Sequence, residues 1–195
     1  MKKQVVITIL ILMLICTLFC TACTTSAAWS NQNTETKNSD VNVTDFNGSE
    51  KYIVYAALNA SGELIRRPAE GEPEATVYYA VVGYTGQVAE LVIPAKYNNK
   101  NVTKVLIATP YSDYYCYRDV DSSGAPISYT GNDARLANNT IVRSIAFGSN
   151  VTYVGVGVCA EMRNLTTVYF DHVQAGITHT NAFLGISPTI TYKAA

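Results

Sequence analysis

The fold of this chain is decided by a short run that occurs three times, as SIAF at residues 144–147, TVYF at 167–170 and TITY at 189–192. The first two runs begin 23 residues apart and the last two begin 22 apart. Each run combines β-branched with aromatic residues, which is typical of a strand. A unit this short cannot bury its own apolar face, so copies must stack and share a core. The repeat therefore predicts neighbouring strands in one stack.

Within this stack, the strand around Val168 alternates in polarity, so Thr167 and Tyr169 are expected to face outward. Together with Arg143 they form the centre of a predicted contact face, which Ser144, Ala146 and Thr191 extend. The residues that we expect in the core are Ile145, Val151, Val154, Val158, Leu165, Val168, Ile177, Phe183 and Ile190.

Composition indicates an ordinary folded protein. The chain has 195 residues, of which 48% are hydrophobic and 15% charged, and its formal net charge is −1. It is long enough to bury a real core. The near-neutral balance, with no basic run beyond Lys2 and Lys3, gives no electrostatic footprint for nucleic acid. We therefore expect no nucleic-acid partner.

Residues 1–28 have the organisation of an export signal, with a positive start, an apolar run from Val5 to Phe19 and small residues after it. Residues 20–23, CTAC, resemble the bacterial lipobox, although Cys20 stands where Leu is usual. The resemblance implies cleavage before Cys23, lipidation of Cys23 and a lipoprotein anchored at the cell surface. One alternative is ordinary cleavage near Ala28, which gives a secreted protein. Another is a retained membrane anchor, although the run is shorter than the ~20 residues that span comfortably.

The segment 29–50 is rich in Asn, Thr, Ser and Asp, so we expect a flexible polar tether. Strand-like runs follow at 51–58 and 76–82, with a Pro/Gly loop at 66–74 between them and a turn at 83–86. Because the open end of a stack of repeats needs a cap, residues 51–86 are predicted to form an N-terminal β cap.

The repeat spacing breaks between residues 109 and 139, in a stretch crowded with tyrosines. An insertion in a repeat protein usually projects from one face and is often a contact loop. Tyrosine suits such contacts because it is large, rigid and able to hydrogen-bond. We therefore propose Tyr111, Tyr114, Tyr115 and Tyr117 as ligand-binding residues. The alternative is that these rings pack back over the repeats as a lid.

Residues 82–105 and 145–183 resemble the bacterial BspA-type leucine-rich repeat surface proteins. The likeness rests on GYTG at 83–86, LVIP at 91–94 and YNNKNVTKV at 97–105, then on VTYVG at 151–155, NLTTV at 164–168 and AF at 182–183. It implies a short, strand-rich α/β leucine-rich-repeat solenoid spanning residues 87–195, with surface exposure and a role in adhesion. It carries over no catalytic residues.

Residue patterns that favour chemistry are few. A Cys/His nucleophile pair of Cys159 with His172 is conceivable, but exposed loop histidines and an apolar core thiol explain both residues better. His172 and His179 lack the accompanying ligands that a metal site needs. Cys116 and Cys159 are able to pair in an exported protein, although a free, buried Cys159 fits the repeat better. We expect no enzyme activity, no metal and no cofactor.

Two functions remain. The first is a cell-surface-tethered or secreted bacterial module that binds or adheres to an extracellular protein or polysaccharide, with the lipid as its membrane contact. The alternative is a structural or accessory envelope lipoprotein without a dedicated extracellular ligand. The sequence leaves the ligand and the oligomeric state open.

Overall fold

Strands dominate the computed structural model, which describes residues 48–67, 74–131 and 133–194 and the backbone of Glu35–Lys37. In chain order the strands are β1 (Glu35–Lys37), β2 (Ile53–Leu58), β3 (Tyr78–Tyr84), β4 (Glu90–Ile93), β5 (Lys96–Tyr97), β6 (Lys100–Val105), β7 (Cys116–Val120), β8 (Pro126–Ser128), β9 (Ser144–Phe147), β10 (Tyr153–Val154), β11 (Thr167–Phe170) and β12 (Thr189–Tyr192). Short 3₁₀ turns lie at Glu50–Tyr52, Tyr111–Asp113 and Gln174–Gly176.

The repeated runs lie side by side in a parallel sheet with the order β1-β12-β11-β9-β4. Val168 is in register with Ile145 on one side and with Ile190 on the other, and Leu91 continues the row on β4. The prediction that the three runs are neighbouring strands is confirmed. Two residues further along the same three strands lies a row of aromatic rings. The ring of Phe170 stacks on Phe147 with centroids 4.7 Å apart and on Tyr192 with centroids 5.5 Å apart.

The second sheet has the order β10-β6-β3-β2-β7-β8, and β5 pairs with β6 at its side. Its middle strands β3, β2 and β7 run antiparallel, as do β7 and β8, whereas β3, β6 and β10 are parallel neighbours. This mixed sheet curls into a half-barrel. Its strands are built from the β-branched and aromatic runs around residues 53–58 and 78–84, which suit a pleated, buried surface.

The predicted α/β leucine-rich-repeat solenoid with an N-terminal β cap is wrong. No α-helix occurs among residues 48–67, 74–131 and 133–194, because the segments between the parallel strands are turns and bends. Residues 51–86 supply two central strands of the second sheet, and the stretch 109–139 adds β7 and β8 to that sheet. The strand β3 also runs through Gly83 and Tyr84, where a turn was expected.

Both sheets contribute to one core. The main cluster joins Leu91, Val168 and Phe170 of the first sheet to Tyr55 and Val81 of the second. A smaller cluster covers the opposite face of β2 and β3, which explains why every residue of β2 is buried. The nine residues predicted for the core are buried, except that Ile177 is half-buried against the main cluster.

Candidate functional site

The export features fall on residues of which the structure gives no description. The predicted signal peptide at 1–28, the lipidation site Cys23 and most of the tether at 29–50 lie outside the described residues. Within the tether, Glu35–Lys37 form β1 and pair in parallel with β12. The described residues contain no helix with the length and hydropathy needed to cross a membrane.

The contact face predicted on the first sheet is only partly exposed. Arg143 and Thr167 are exposed, and Ser144 is half-buried. Tyr169 is 6% exposed, so the expectation that its ring faces solvent is wrong. Alternation along a strand identifies the side on which a residue lies, but it does not show whether that side is covered.

The tyrosines of residues 109–139 pack against the second sheet. Tyr111 is 4% exposed; its hydroxyl donates to the Val82 carbonyl at 3.3 Å and accepts from the Ala134 N–H at 3.2 Å. The expectation that Tyr111 is exposed is therefore wrong, and its ligand-binding role stays a prediction. Tyr117 is half-buried, with its ring edge-on to Tyr79. The rings of Tyr111 and Tyr117 therefore pack back against the protein, as the alternative to the binding interpretation predicts.

Tyr114 and Tyr115 are half-buried and lie under two arginines. The Arg66 guanidinium lies 5.4 Å from the centroid of the Tyr114 ring, and Arg67 lies 5.3 Å from that of Tyr115. Arg67 Nε also donates to the Tyr114 carbonyl at 2.8 Å, while its Nη2 is buried without an acceptor. This Arg–Tyr cluster, Arg66, Arg67, Tyr114 and Tyr115, is a cationic aromatic surface suited to contacts.

A cavity of about 240 Å³, partly open to solvent, lies at the start of β2. No pattern in the sequence predicted this cavity. Its walls come from the 3₁₀ turn at Glu50–Tyr52, from β2, from the β4–β5 corner and from the end of β7. The lining residues are Glu50, Lys51, Tyr55, Pro94, Lys96, Tyr97, Asn98, Asp119 and Val120.

Two tyrosines form the rigid wall of the cavity. The rings of Tyr55 and Tyr97 stack with centroids 3.9 Å apart and planes 7° from parallel, and Tyr79 meets Tyr97 edge-on. The Tyr97 hydroxyl donates to the Asp119 carbonyl at 2.6 Å, which fixes the end of β7 against β5. Burial raises the pKa of the Tyr55 and Tyr97 hydroxyls, so both are protonated and able to donate.

Charged groups of both signs surround this wall. Lys51, Lys96 and Asp119 are exposed, whereas Glu50 is half-buried. The Glu50 Oε2 atom is buried and accepts no hydrogen bond. The turn that carries Glu50 is fixed by backbone bonds, because Tyr52 N–H donates to the Ser49 carbonyl at 3.0 Å and Thr85 N–H donates to the Tyr52 carbonyl at 2.8 Å. The Glu50 carboxyl group is thus held on a fixed backbone at the cavity, with unused capacity to accept a hydrogen bond.

The two cysteines and His179, considered above for catalysis, disulfide formation or metal binding, lie in packed surroundings and form no such site in the described part of the chain. Cys159 is fully buried, and burial raises the pKa of its thiol to about 12, which disfavours the nucleophilic thiolate. Cys116 is also a free, buried thiol with a pKa raised to about 12 by burial. His179 stacks on Phe170 and bonds the Tyr192 hydroxyl at 2.5 Å. In the described ranges no three His, Cys, Asp or Glu side chains are grouped to hold a metal.

Comparison with known proteins gives no assignment. No protein-family model matches the chain, and neither the curated proteins nor the solved structures give a match.

Proposed function

We propose that the protein is an exported, surface-tethered binding module that holds an extracellular polysaccharide or protein, with the cavity beside Tyr55 as its principal contact site. The lipid on Cys23 supplies the membrane contact in this proposal, and no cofactor takes part. The binding is non-catalytic: the site positions donors and acceptors, and no nucleophile is paired with a base there.

The observation that carries this proposal is the Glu50 carboxyl group, which lines a preformed cavity and whose buried Oε2 atom accepts no hydrogen bond. A buried acceptor without a donor costs folding free energy, typically about 1–3 kcal/mol and more when the group is charged. A ligand hydroxyl or N–H that donates to Glu50 removes this cost. Functional sites are where such uncompensated polar groups are retained.

The strands around the cavity support recognition by a rigid site. Tyr55 lies on a strand that is paired on both sides, and the Tyr97 ring is held by stacking and by its bond to Asp119. Little side-chain freedom is lost when a ligand binds such a surface, so small contacts yield more affinity. The Arg–Tyr cluster offers a second contact area for a long polymer or a protein.

The test uses the full-length protein displayed on bacterial cells and incubated with labelled extracellular polysaccharides and matrix proteins. We expect saturable retention of at least one ligand. The double variant Lys96→Ala with Asp119→Ala removes two exposed cavity charges without altering net charge, and it should lower retention about tenfold or more. The control variant Arg143→Ala with Thr167→Ala changes the exposed face of the first sheet and should bind as the parent does.

Two outcomes contradict the proposal. Loss of retention in the control variant, with the cavity variant unaffected, places the contact on the first sheet. Absence of any retained ligand by displayed, folded protein favours the accessory envelope lipoprotein instead.

A further inference from the structure

We propose that the cavity takes one uncharged sugar ring of a polysaccharide, with Glu50 and Tyr55 as its hydrogen-bonding residues. This inference rests on the proposed binding function and names the ligand class of the same site.

The size of the cavity selects a ligand of one ring. Its volume of about 240 Å³ lies below the ~300–1,000 Å³ that is typical of sites for drug-sized molecules. A single pyranose ring suits this space, while its neighbours along a chain extend through the open side. Val120, which is 39% exposed, lies at the cavity and offers an apolar edge for the C–H face of a sugar.

The charges favour a neutral ligand. Two carboxylates, Glu50 and Asp119, and two ammonium groups, Lys51 and Lys96, line the same space. Because the two signs balance, the wall offers no net electrostatic attraction to an anionic or a cationic sugar. A polyhydroxylated ring carries no charge and offers both donors and acceptors, so it is compatible with every group in the wall.

The polar groups of Glu50 and Tyr55 in the cavity wall are suited to hydrogen bonds with sugar hydroxyls. The Glu50 carboxyl group lines the cavity and its Oε2 atom accepts no hydrogen bond, and a hydrogen bond from a hydroxyl to a carboxylate is charge-assisted and short. Tyr55 lines the cavity, and a tyrosine hydroxyl both donates and accepts. Neighbouring hydroxyls on one ring satisfy such a pair together.

A peptide is the less suitable occupant. Extended peptides bind by adding a strand to a sheet edge or by lying in a long groove. Tyr55 belongs to β2, which is already paired with β3 and with β7, so its backbone has no free edge. The cavity accordingly favours a ring over an extended chain.

The experiment measures binding of the full-length protein in detergent to immobilised polysaccharides. The probes are the neutral polymers dextran, galactan and mannan, the anionic polymer polygalacturonate, the cationic polymer chitosan and the peptide tetra-alanine. We expect at least one neutral polymer to bind, and the corresponding free monosaccharide to compete.

Glu50→Gln retains the shape of the side chain but loses the charge. We expect it to lower the affinity for the neutral polymer about tenfold. Tyr55→Phe keeps the stack on Tyr97 but removes the hydroxyl, and we expect it to lower the affinity for the neutral polymer about fivefold. Glu63→Gln is the matched control because it removes the same charge at an exposed position near the far end of β2, and its affinity should stay within about twofold of the parent.

Preferential binding of polygalacturonate, chitosan or tetra-alanine overturns the sugar assignment. So does binding of a neutral polymer that Glu50→Gln and Tyr55→Phe leave unchanged. If no carbohydrate binds while displayed cells still retain a protein ligand, the sugar inference fails and the proposed binding function stands. If neither binds, both fail.

Discussion

Phe170→Ala tests whether the two sheets form one cooperative unit. Phe170 is fully buried in the parallel sheet and stacks between Phe147 and Tyr192. Truncating a buried Phe to Ala costs about 3–5 kcal/mol through lost transfer free energy and the cavity that remains. We expect the free energy of unfolding to fall by about 4 kcal/mol. For a dependence on urea of about 2 kcal/mol per M, this loss lowers the urea midpoint by about 2 M.

Hydrogen exchange measured by mass spectrometry locates this loss. The main cluster joins Phe170 to Ile53 and Val81 of the second sheet, so global unfolding exposes amides of both sheets together. A loss of about 4 kcal/mol accelerates the slowest exchange by about a thousandfold. We expect this acceleration equally in peptides covering β11, β2 and β3.

Two further variants complete the experiment. Thr167→Ala lies on the same strand but is exposed, and it should change the stability by less than about 0.5 kcal/mol. Phe170→Leu should lower the free energy of unfolding by about 1–2 kcal/mol, and it tests the same coupling between the sheets if the alanine variant does not fold. If β2 and β3 keep parental protection while β11 loses it, the sheets unfold independently and the proposed coupling is contradicted.

Three other predictions concern stability and reactivity. Gly148→Ala should destabilise by about 1–3 kcal/mol in urea unfolding, because a Cβ there would clash with the backbone nitrogen of Ala95; an unchanged midpoint contradicts this close approach. Cys116 and Cys159 should resist iodoacetamide in the native protein and react in urea, as peptide mass mapping can show, because both are fully buried; native labelling contradicts that burial. Burial raises the pKa of Tyr111 and of Cys159 to about 12, so the folded chain keeps protons that the unfolded chain loses. Stability should therefore fall as the pH rises from about 9 to 12, by at most ~1.4 kcal/mol per pH unit for each group, and an equal urea midpoint at pH 8 and pH 11 contradicts this.

The parallel strands could be predicted from sequence because their pattern is local and repeated. Once the run around Val168 is aligned with those around Ile145 and Ile190, the register follows, and the structure has that register. The α/β solenoid implied by the family resemblance does not form: the described residues contain short 3₁₀ turns but no α-helix. The second sheet was missed because β2 and β7 pair across about 60 residues of sequence, and no repeat or turn motif marks such a partner.

The cavity could not be predicted for a similar reason. Glu50, Tyr55, Lys96 and Asp119 are separated along the chain and form no motif, and each is an ordinary residue beside a strand. Only the pairing of β2 with β7 and the stacking of Tyr55 on Tyr97 bring these groups together. Tyr111 was misassigned as an exposed contact because tyrosine content indicates contact surfaces and covered cores equally well.

The proposed binding function requires that a ligand contact the cavity beside Tyr55. The measurement is an NMR titration of the full-length, isotopically labelled protein in detergent with fragments of the neutral polysaccharide that binds. We predict that the chemical-shift changes concentrate at Glu50, Tyr55, Lys96, Asn98 and Asp119. Changes centred on Arg143 and Thr167, or no changes at saturating concentration, would contradict the assignment of the cavity as the binding site.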